Sequence, residues 1–282
     1  MRWRLVARKD FGDAKRSKSL YVVGALFALV SLVIGYGYGS STGGSGSETG
    51  FALLSLLLLV GLFFFPLVAL FFSQNAVVSK RTSGEMKVLL GLPLSREAVI
   101  LGSFVGRCAV ALSILALYFG VAHVVALLYF APVDPLLSLG VFTAVALFTV
   151  AFVGIATGIS AAVSSTTRAS VGSLGLFFLF ALLWDAIPGV VQYVLNGFSA
   201  TSPGRPAPEW AAIFRNLDPF TALRNLVVGT QPQFRGIFGL FGGLYPGSPE
   251  YYQEPVAGLV FLLLWLVVPL GLGYRRFRDA DI

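Results

Sequence analysis

Long apolar stretches alternate with short polar segments along the whole chain. Six of these stretches reach or approach the roughly 20 residues that an α-helix needs to cross about 30 Å of hydrocarbon. They are predicted as membrane spans at residues 20–38, 51–72, 109–130, 136–163, 171–195 and 255–274. Most connections between them are short and rich in Gly, Ser or Pro, which favours turns over further folded units. The pattern predicts an all-α polytopic membrane protein with six transmembrane helices, a single domain over residues 1–282.

The composition supports the assignment to the membrane and excludes other classes of protein. Of 282 residues, 56% are hydrophobic and 12% are charged, and the mean hydropathy is +0.83. These values exclude a water-soluble globular protein. The single cysteine, Cys108, has no partner for a disulfide within the chain. The sequence contains neither a phosphate-binding G-x-x-x-x-G-K-[ST] loop nor a hydrolytic or zinc-binding set. We therefore predict no catalytic, cofactor-binding or metal-binding residues and no enzyme activity in this chain.

The basic residues are distributed unevenly between the connections. The net charge is +7, with 20 basic and 13 acidic residues. Most of the basic residues lie in residues 1–19, in the loop 73–97 and in the tail 275–278, and Arg107 and Arg168 belong to the same side. The other four are Arg205, Arg215, Arg224 and Arg235. Because Lys and Arg are retained on the cytoplasmic side, this predicts a multi-pass cell-membrane protein with both termini in the cytoplasm. The basic charge is assigned to lipid and orientation, not to nucleic acid.

Two segments outside the spans have a distinct pattern. Residues 1–19 predict an amphipathic helix lying in the inner leaflet, the alternative being a disordered basic arm. Its apolar arc contains Trp3, Val6, Ala7, Phe11 and Ala14. Asp10 is the one charge that falls on the apolar side. The outer segment 188–254 is rich in Pro and Gly, and we expect it to form short helices at the outer interface.

The cytoplasmic loop 73–107 contains a short apolar run that begins after Gly84 and Glu85 and ends at Pro93. A helix this short cannot cross a membrane, so its apolar residues, including Leu89 and Leu92, require another surface to pack against. Either it packs on its own bundle, or it docks into a groove on a cytoplasmic partner. Ser95 is predicted to cap the helix that follows.

The order of basic amphipathic start, six spans and this loop resembles the permease subunits of ABC-2 type ATP-binding-cassette transporters. The match to the family's loop rests on Gly84, Leu92, Pro93, Ser95 and Arg96. Two further stretches resemble the NosY-like branch of that family. They are Trp184 with Asp185, and Asp218, Pro219 and Phe220 with Arg224.

The resemblance implies a six-helix half-transporter of the type V exporter kind, which forms a substrate pathway with a second permease subunit as a homodimer or heterodimer. It implies cytoplasmic ATPase subunits that carry the ATP and Mg, with no cofactor in this chain. The residues assigned to ATPase coupling are Gly84, Glu85, Leu89, Leu92, Pro93, Ser95 and Arg96. Where the family usually carries glutamates, this chain has Lys80, Thr82 and Lys87, so the partner surface is expected to be more acidic. The alternative function is an ATP-independent secondary transporter or channel.

Polar residues in or near the predicted spans are the remaining candidates for functional residues. Asp185 falls about two-thirds along the predicted fifth span, and it either pairs with Arg224 or is an interfacial residue at a helix break. With Asp218 these residues are predicted to form an outer polar cluster. In the fourth span, Gly154 and Gly158 form a G-x-x-x-G pair that would let another helix approach closely.

Overall fold

A computed structural model describes residues 3–42, 50–91, 94–129, 131, 133–198, 208–239 and 254–279. Of the residues in these ranges, 88% are helical, and none lies in a strand. Six of the described helical segments are long and apolar enough to cross a membrane. The predicted all-α, six-span architecture is confirmed.

The helices follow one another with short connections. Their bounds are α1 Trp3–Arg16, α2 Lys18–Thr42, α3 Phe51–Ser73, α4 Val78–Thr82, α5 Glu85–Gly91, α6 Arg96–Leu128, α7 Pro135–Ala162, α8 Thr166–Phe178, α9 Ala186–Leu195, α10 Glu209–Asn216, α11 Pro219–Thr230, α12 Arg235–Gly239 and α13 Pro255–Arg278. A π-helical segment, Leu179–Leu183, continues α8, and a 3-10 turn, Pro232–Phe234, precedes α12.

The chain divides into two compact units. The larger unit comprises Met1–Ser173 and Leu266–Ile282, and the smaller unit comprises Leu174–Trp265. The expectation of a single domain over 1–282 stays a prediction. The predicted short helices of the segment 188–254 are present where the structure describes it, as most of α9 and as α10 to α12.

The core of the larger unit lies around α3, whose membrane-length segment is more buried than those of the other candidate spans. Phe27 of α2, Phe65 of α3 and Tyr118 of α6 meet there, with ring centroids 5.0–5.7 Å apart. Aromatic side chains of this size contribute large buried areas and favour edge or tilted contacts. These rings hold three of the spans together.

Glycines permit close helix contacts within the larger unit. A Cβ at Gly158 would lie 2.3 Å from the carbonyl oxygen of Pro269, and one at Gly154 would lie 2.7 Å from the side chain of Leu266. Since no real Cβ tolerates such distances, the G-x-x-x-G pair allows α7 and the second half of α13 to approach closely. The predicted role of this pair is confirmed.

Two spans differ from their predicted ends. The helix α6 begins at Arg96 and has 33 residues, about 50 Å at 1.5 Å per residue, so it extends well beyond the apolar run that predicted its start at residue 109. The fifth candidate span is Thr166–Leu183, and not 171–195. Its last turn is a π-helix, and Pro188 in the first turn of α9 cannot supply a backbone donor to a continuous helix.

Candidate functional site

The N-terminal helix α1 forms as the amphipathic pattern predicts, and its buried face packs on α6. Val6, Ala7 and Ala14 are buried, whereas Leu5 on the opposite side is 68% exposed. The contact is close because α6 presents glycine there: a Cβ at Gly102 would lie 2.5 Å from the Cβ of Val6. The apolar arc of α1 is therefore largely covered by protein, which restricts its contact with lipid.

The charge that looked misplaced on α1 is the centre of a buried ion pair. The carboxylate of Asp10 accepts hydrogen bonds from Lys80 Nζ at 2.8 and 2.7 Å, and the same ammonium donates to Ser103 Oγ at 2.7 Å. The side chains of Lys80 and Asp10 are only 5% and 2% exposed. A buried charge is tolerable when it is paired and hydrogen-bonded, as it is here.

A second ion pair joins the neighbouring residue of α1 to the next element of the loop. Lys9 Nζ donates to Glu85 Oε1 at the start of α5, and it also lies 3.7 Å from Asp13. The hydrogen bond to Glu85 raises the pKa of Lys9 above its usual value. Between the two pairs the chain turns at Gly84, whose φ of 78° is a left-handed conformation that favours glycine.

The short helix α5 directs its described apolar side chains into its own unit. Met86 is fully buried and Leu89 is 9% exposed. Met86 belongs to a core with Val99 of α6 and Phe277 of α13. Lys87 and Gly91 are exposed. Of the two alternatives for this helix, packing on its own bundle accounts for Met86 and Leu89. Two assigned coupling residues, Leu92 and Pro93, lie outside the described residues.

Ser95 and Arg96 have structural partners. Ser95 caps α6 by accepting from the amide of Ala98 at 3.2 Å, which confirms the predicted N-cap. The guanidinium of Arg96 donates to the carbonyl oxygens of Phe277 at 2.9 Å and Arg278 at 2.6 Å. It therefore satisfies terminal carbonyls of α13, where a cation also complements the helix dipole.

In the smaller unit, Asp218 caps α11 and is buried. Its Oδ2 accepts from the amide of Thr221 at 2.9 Å and from the Thr221 hydroxyl at 3.2 Å. Its Oδ1 is buried without a hydrogen-bond partner. Burial is the main cause that raises the pKa of Asp218 to about 7, and the nearby Asp185 carboxylate raises it further.

Arg224 belongs to a buried amide network in the same unit. Its guanidinium donates to Asn225 Oδ1 at 3.4 and 3.3 Å, and Asn225 donates to Asn216 Oδ1 at 2.9 Å. Asp185 is exposed, in the turn between the π-helical segment and α9. The structure thus brings Asp185 near Asp218, and the contacts described for Arg224 go to Asn225. A direct pair between Asp185 and Arg224 stays a prediction.

Trp184 contributes a contact that sequence reasoning did not derive. Its indole nitrogen donates to the carbonyl oxygen of Phe214 at 2.9 Å, and the two rings stack 4.5 Å apart at an interplanar angle of 10°. Trp265 similarly donates to Leu217 at 2.6 Å. The sequence signal for Trp184 was a Trp directly before an Asp, since an indole N–H that leaves water usually finds an acceptor. In the ranges that the structure describes, no group of three or more His, Cys, Asp or Glu side chains is placed to hold a metal ion.

Comparison with known proteins places this arrangement in a family. The family model for the ABC-2 family transporter protein matches residues 4–282. The chain is 30% identical over 282 residues to the probable ABC transporter permease protein NosY of Pseudomonas aeruginosa, covering 98% of each protein. It is 28% identical over 281 residues to the protein of the same name from Stutzerimonas stutzeri, covering 97% of this chain and 96% of the relative. The chain therefore belongs to the ABC-2 family of transporter proteins, as a transmembrane permease.

Proposed function

We propose that this permease is the membrane half of an exporter whose ATPase subunits bind at α5. Together with a second permease subunit it encloses the substrate pathway, while the ATP and Mg are bound by the separate ATPase. The family membership and the NosY relatives support a permease of this class. One observation supports α5 as the docking point: Met86 and Leu89 brace this short helix on its inner side, and Lys87 and Gly91 are left exposed.

The docking surface is proposed to be the exposed side of α5 and of the turns around it. Lys87 and Gly91 are exposed, as are Ser83 before the helix and Ser95 after it. Leu89 is covered by its own unit, so a partner does not need it for binding. Lys87 is exposed on this surface, whereas Glu85 at the start of α5 is paired with Lys9. This exposed basic charge favours an acidic partner surface.

Co-purification tests this proposal. The permease is expressed with an ATP-binding-cassette ATPase and purified in detergent, and the bound ATPase and its stimulated hydrolysis are measured. Lys87→Glu reverses an exposed charge at the proposed surface and should reduce both. Arg8→Glu is the matched control, because Arg8 is exposed on α1 and lies outside the surface. Equal binding by both variants would contradict docking at α5, and failure of any ATPase to bind would favour the ATP-independent alternative.

Both termini are proposed to face the cytoplasm. The support is the excess of Lys and Arg in residues 1–19, in 73–97 and in the tail 275–278. In a Cys108→Ser background, an impermeant thiol reagent applied to intact cells should modify a cysteine at position 45 or 202 and spare one at Ser83. The opposite accessibility would reverse the orientation and move the proposed ATPase surface outside.

A further inference from the structure

We propose that Asp10 and Lys80 are positioning residues for ATPase coupling, through which α1 sets the orientation of α5. This inference rests on the proposed docking of the ATPase at α5.

The first support is where the two ion pairs attach. Consecutive residues of α1, Lys9 and Asp10, bind Glu85 and Lys80, which lie on either side of the turn at Gly84. Lys80 belongs to α4 and Glu85 begins α5. Helix α1 therefore contacts both α4 and α5, on either side of the turn that joins them.

The second support is that both helices joined by the Asp10–Lys80 pair, α1 and α4, are anchored on other helices. Helix α1 is seated on α6, where a Cβ at Gly106 would lie 2.8 Å from the Cβ of Asp10. At the start of α4, the amides of Val77 and Val78 both donate to Ser160 Oγ of α7 at 3.1 Å. The Asp10–Lys80 pair thus joins two anchored elements, and α5 follows α4 through the turn at Gly84.

The third support is the difference in burial between the pairs. The Asp10–Lys80 pair is enclosed, whereas the side chains of Lys9 and Glu85 are 47% and 36% exposed. An exposed pair is weak and exchangeable, while an enclosed pair is rigid. The enclosed pair defines the position of α1 against α4, and the exposed pair lets α5 adjust when a partner binds.

The orientation of α5 is measured first, without any ATPase. Spin labels are placed at Arg8 of α1 and Lys87 of α5, both exposed, in a Cys108→Ser background, and the distance distribution is recorded in detergent. The labelled protein with Asp10 and Lys80 intact is compared with the labelled Asp10→Asn, Lys80→Met and double variants. Each single variant leaves an unpaired polar or charged group buried and should broaden the distribution. The double variant removes both charges and retains one buried amide, so it should regain part of the thermal stability and keep the broad distribution.

Coupling is then measured on the same substitutions without labels. ATPase stimulation should fall about fivefold or more in the double variant, within the usual range of coupling between sites. Phe148→Leu, in the buried part of α7, is the control for a permease that is less stable but has an intact Asp10–Lys80 pair, and it should keep stimulation. If the double variant regains a narrow distribution and full stimulation, the pair only balances charge and the proposal is overturned.

The proposal also fails if the distribution broadens while ATPase binding and stimulation are unchanged. That result is distinguishable from a failure of the proposed function, because Lys87→Glu tests the docking surface directly with the Asp10–Lys80 pair intact.

Discussion

Among the described residues, each of the two units buries one aspartate, and each does so in a different way. Asp10 in the larger unit is 3% exposed and faces the ammonium group of Lys80. Asp218 in the smaller unit is 4% exposed and is bonded to the amide and hydroxyl of Thr221. Its carboxylate neighbour, Asp185, opposes ionisation.

The comparison shows two solutions to the cost of burying a carboxyl group. An opposite charge compensates the buried carboxylate of Asp10, whereas burial and a nearby like charge raise the pKa of Asp218. The first solution makes the local fold depend on a distant residue of the chain. The second makes it depend on pH.

Breaking the pair in the larger unit should have the largest effect. Lys80→Met leaves the carboxylate of Asp10 buried without its cation, which typically costs about 3–5 kcal/mol of unfolding free energy. Chemical unfolding in detergent measures the loss. The control is Lys15→Met on the exposed side of α1, which should change the unfolding free energy little. A Lys80→Met protein as stable as the original would mean that the pair contributes nothing to the fold.

The buried carboxyl group of Asp218 should make the stability of the smaller unit depend on pH. Its pKa is raised from 3.8 to about 7, so the folded state binds the proton more tightly than the unfolded state. Stability of α11 is therefore greatest at low pH, falls as the pH rises through this interval, and is constant above it. Since each pKa unit corresponds to about 1.4 kcal/mol, the loss between about pH 5 and about pH 8 should be about 2–3 kcal/mol.

Asp218→Asn and Asp218→Ala separate the titration from the cap. Asparagine is an equally good N-cap residue, so Asp218→Asn should remove the pH dependence and keep the cap, whereas Asp218→Ala should also lose about 1 kcal/mol from the cap itself. Hydrogen-exchange protection of the α11 amides, corrected for intrinsic rates, measures both effects. A pH dependence that persists in Asp218→Asn would assign the titration to another group.

The sequence predicted those features that depend on local periodicity. The amphipathic α1, the six apolar spans, the cap at Ser95 and the close packing at Gly154 and Gly158 each have a signal within a few residues of chain. The apolar side chains of α5 were also visible, and the open question was what covers them. That depended on residues as far away as Phe277, which no local pattern identifies.

The ion pair of Asp10 was not predicted, although part of its signal was present. A charge on the apolar side of an amphipathic helix requires a partner, and the basic loop 73–97 offered four candidates. Selecting Lys80 among them requires knowing which residue the tertiary fold brings to Asp10 across 70 positions. The extension of α6 to Arg96 was missed for another reason: hydropathy detects where a helix is apolar, and this helix continues through polar sequence.

The predicted pair between Asp185 and Arg224 should show a smaller effect. Asp185 is exposed, so a direct or relayed interaction is expected to couple the two residues by about 0.5–1 kcal/mol. A double-mutant cycle with Asp185→Asn and Arg224→Gln, read as unfolding free energy in detergent, measures it. Replacing Asp185→Asn by Glu209→Gln, at an exposed acid of α10, gives the control cycle. Fully additive losses would leave Asp185 as an ordinary interfacial acid.

The smallest effect is expected at the exposed pair next to Asp10. Lys9 and Glu85 retain much of their contact with water, so their coupling in a Lys9→Ala and Glu85→Ala cycle should be about 0.2–1 kcal/mol. Raising the ionic strength from about 0.1 M to about 1 M shortens the screening length from about 10 Å to about 3 Å and should weaken it further. The enclosed Asp10–Lys80 coupling should change much less under the same conditions. Coupling at Lys9 and Glu85 that matches the enclosed pair and resists salt would remove the distinction between a fixed and an adjustable attachment of α1.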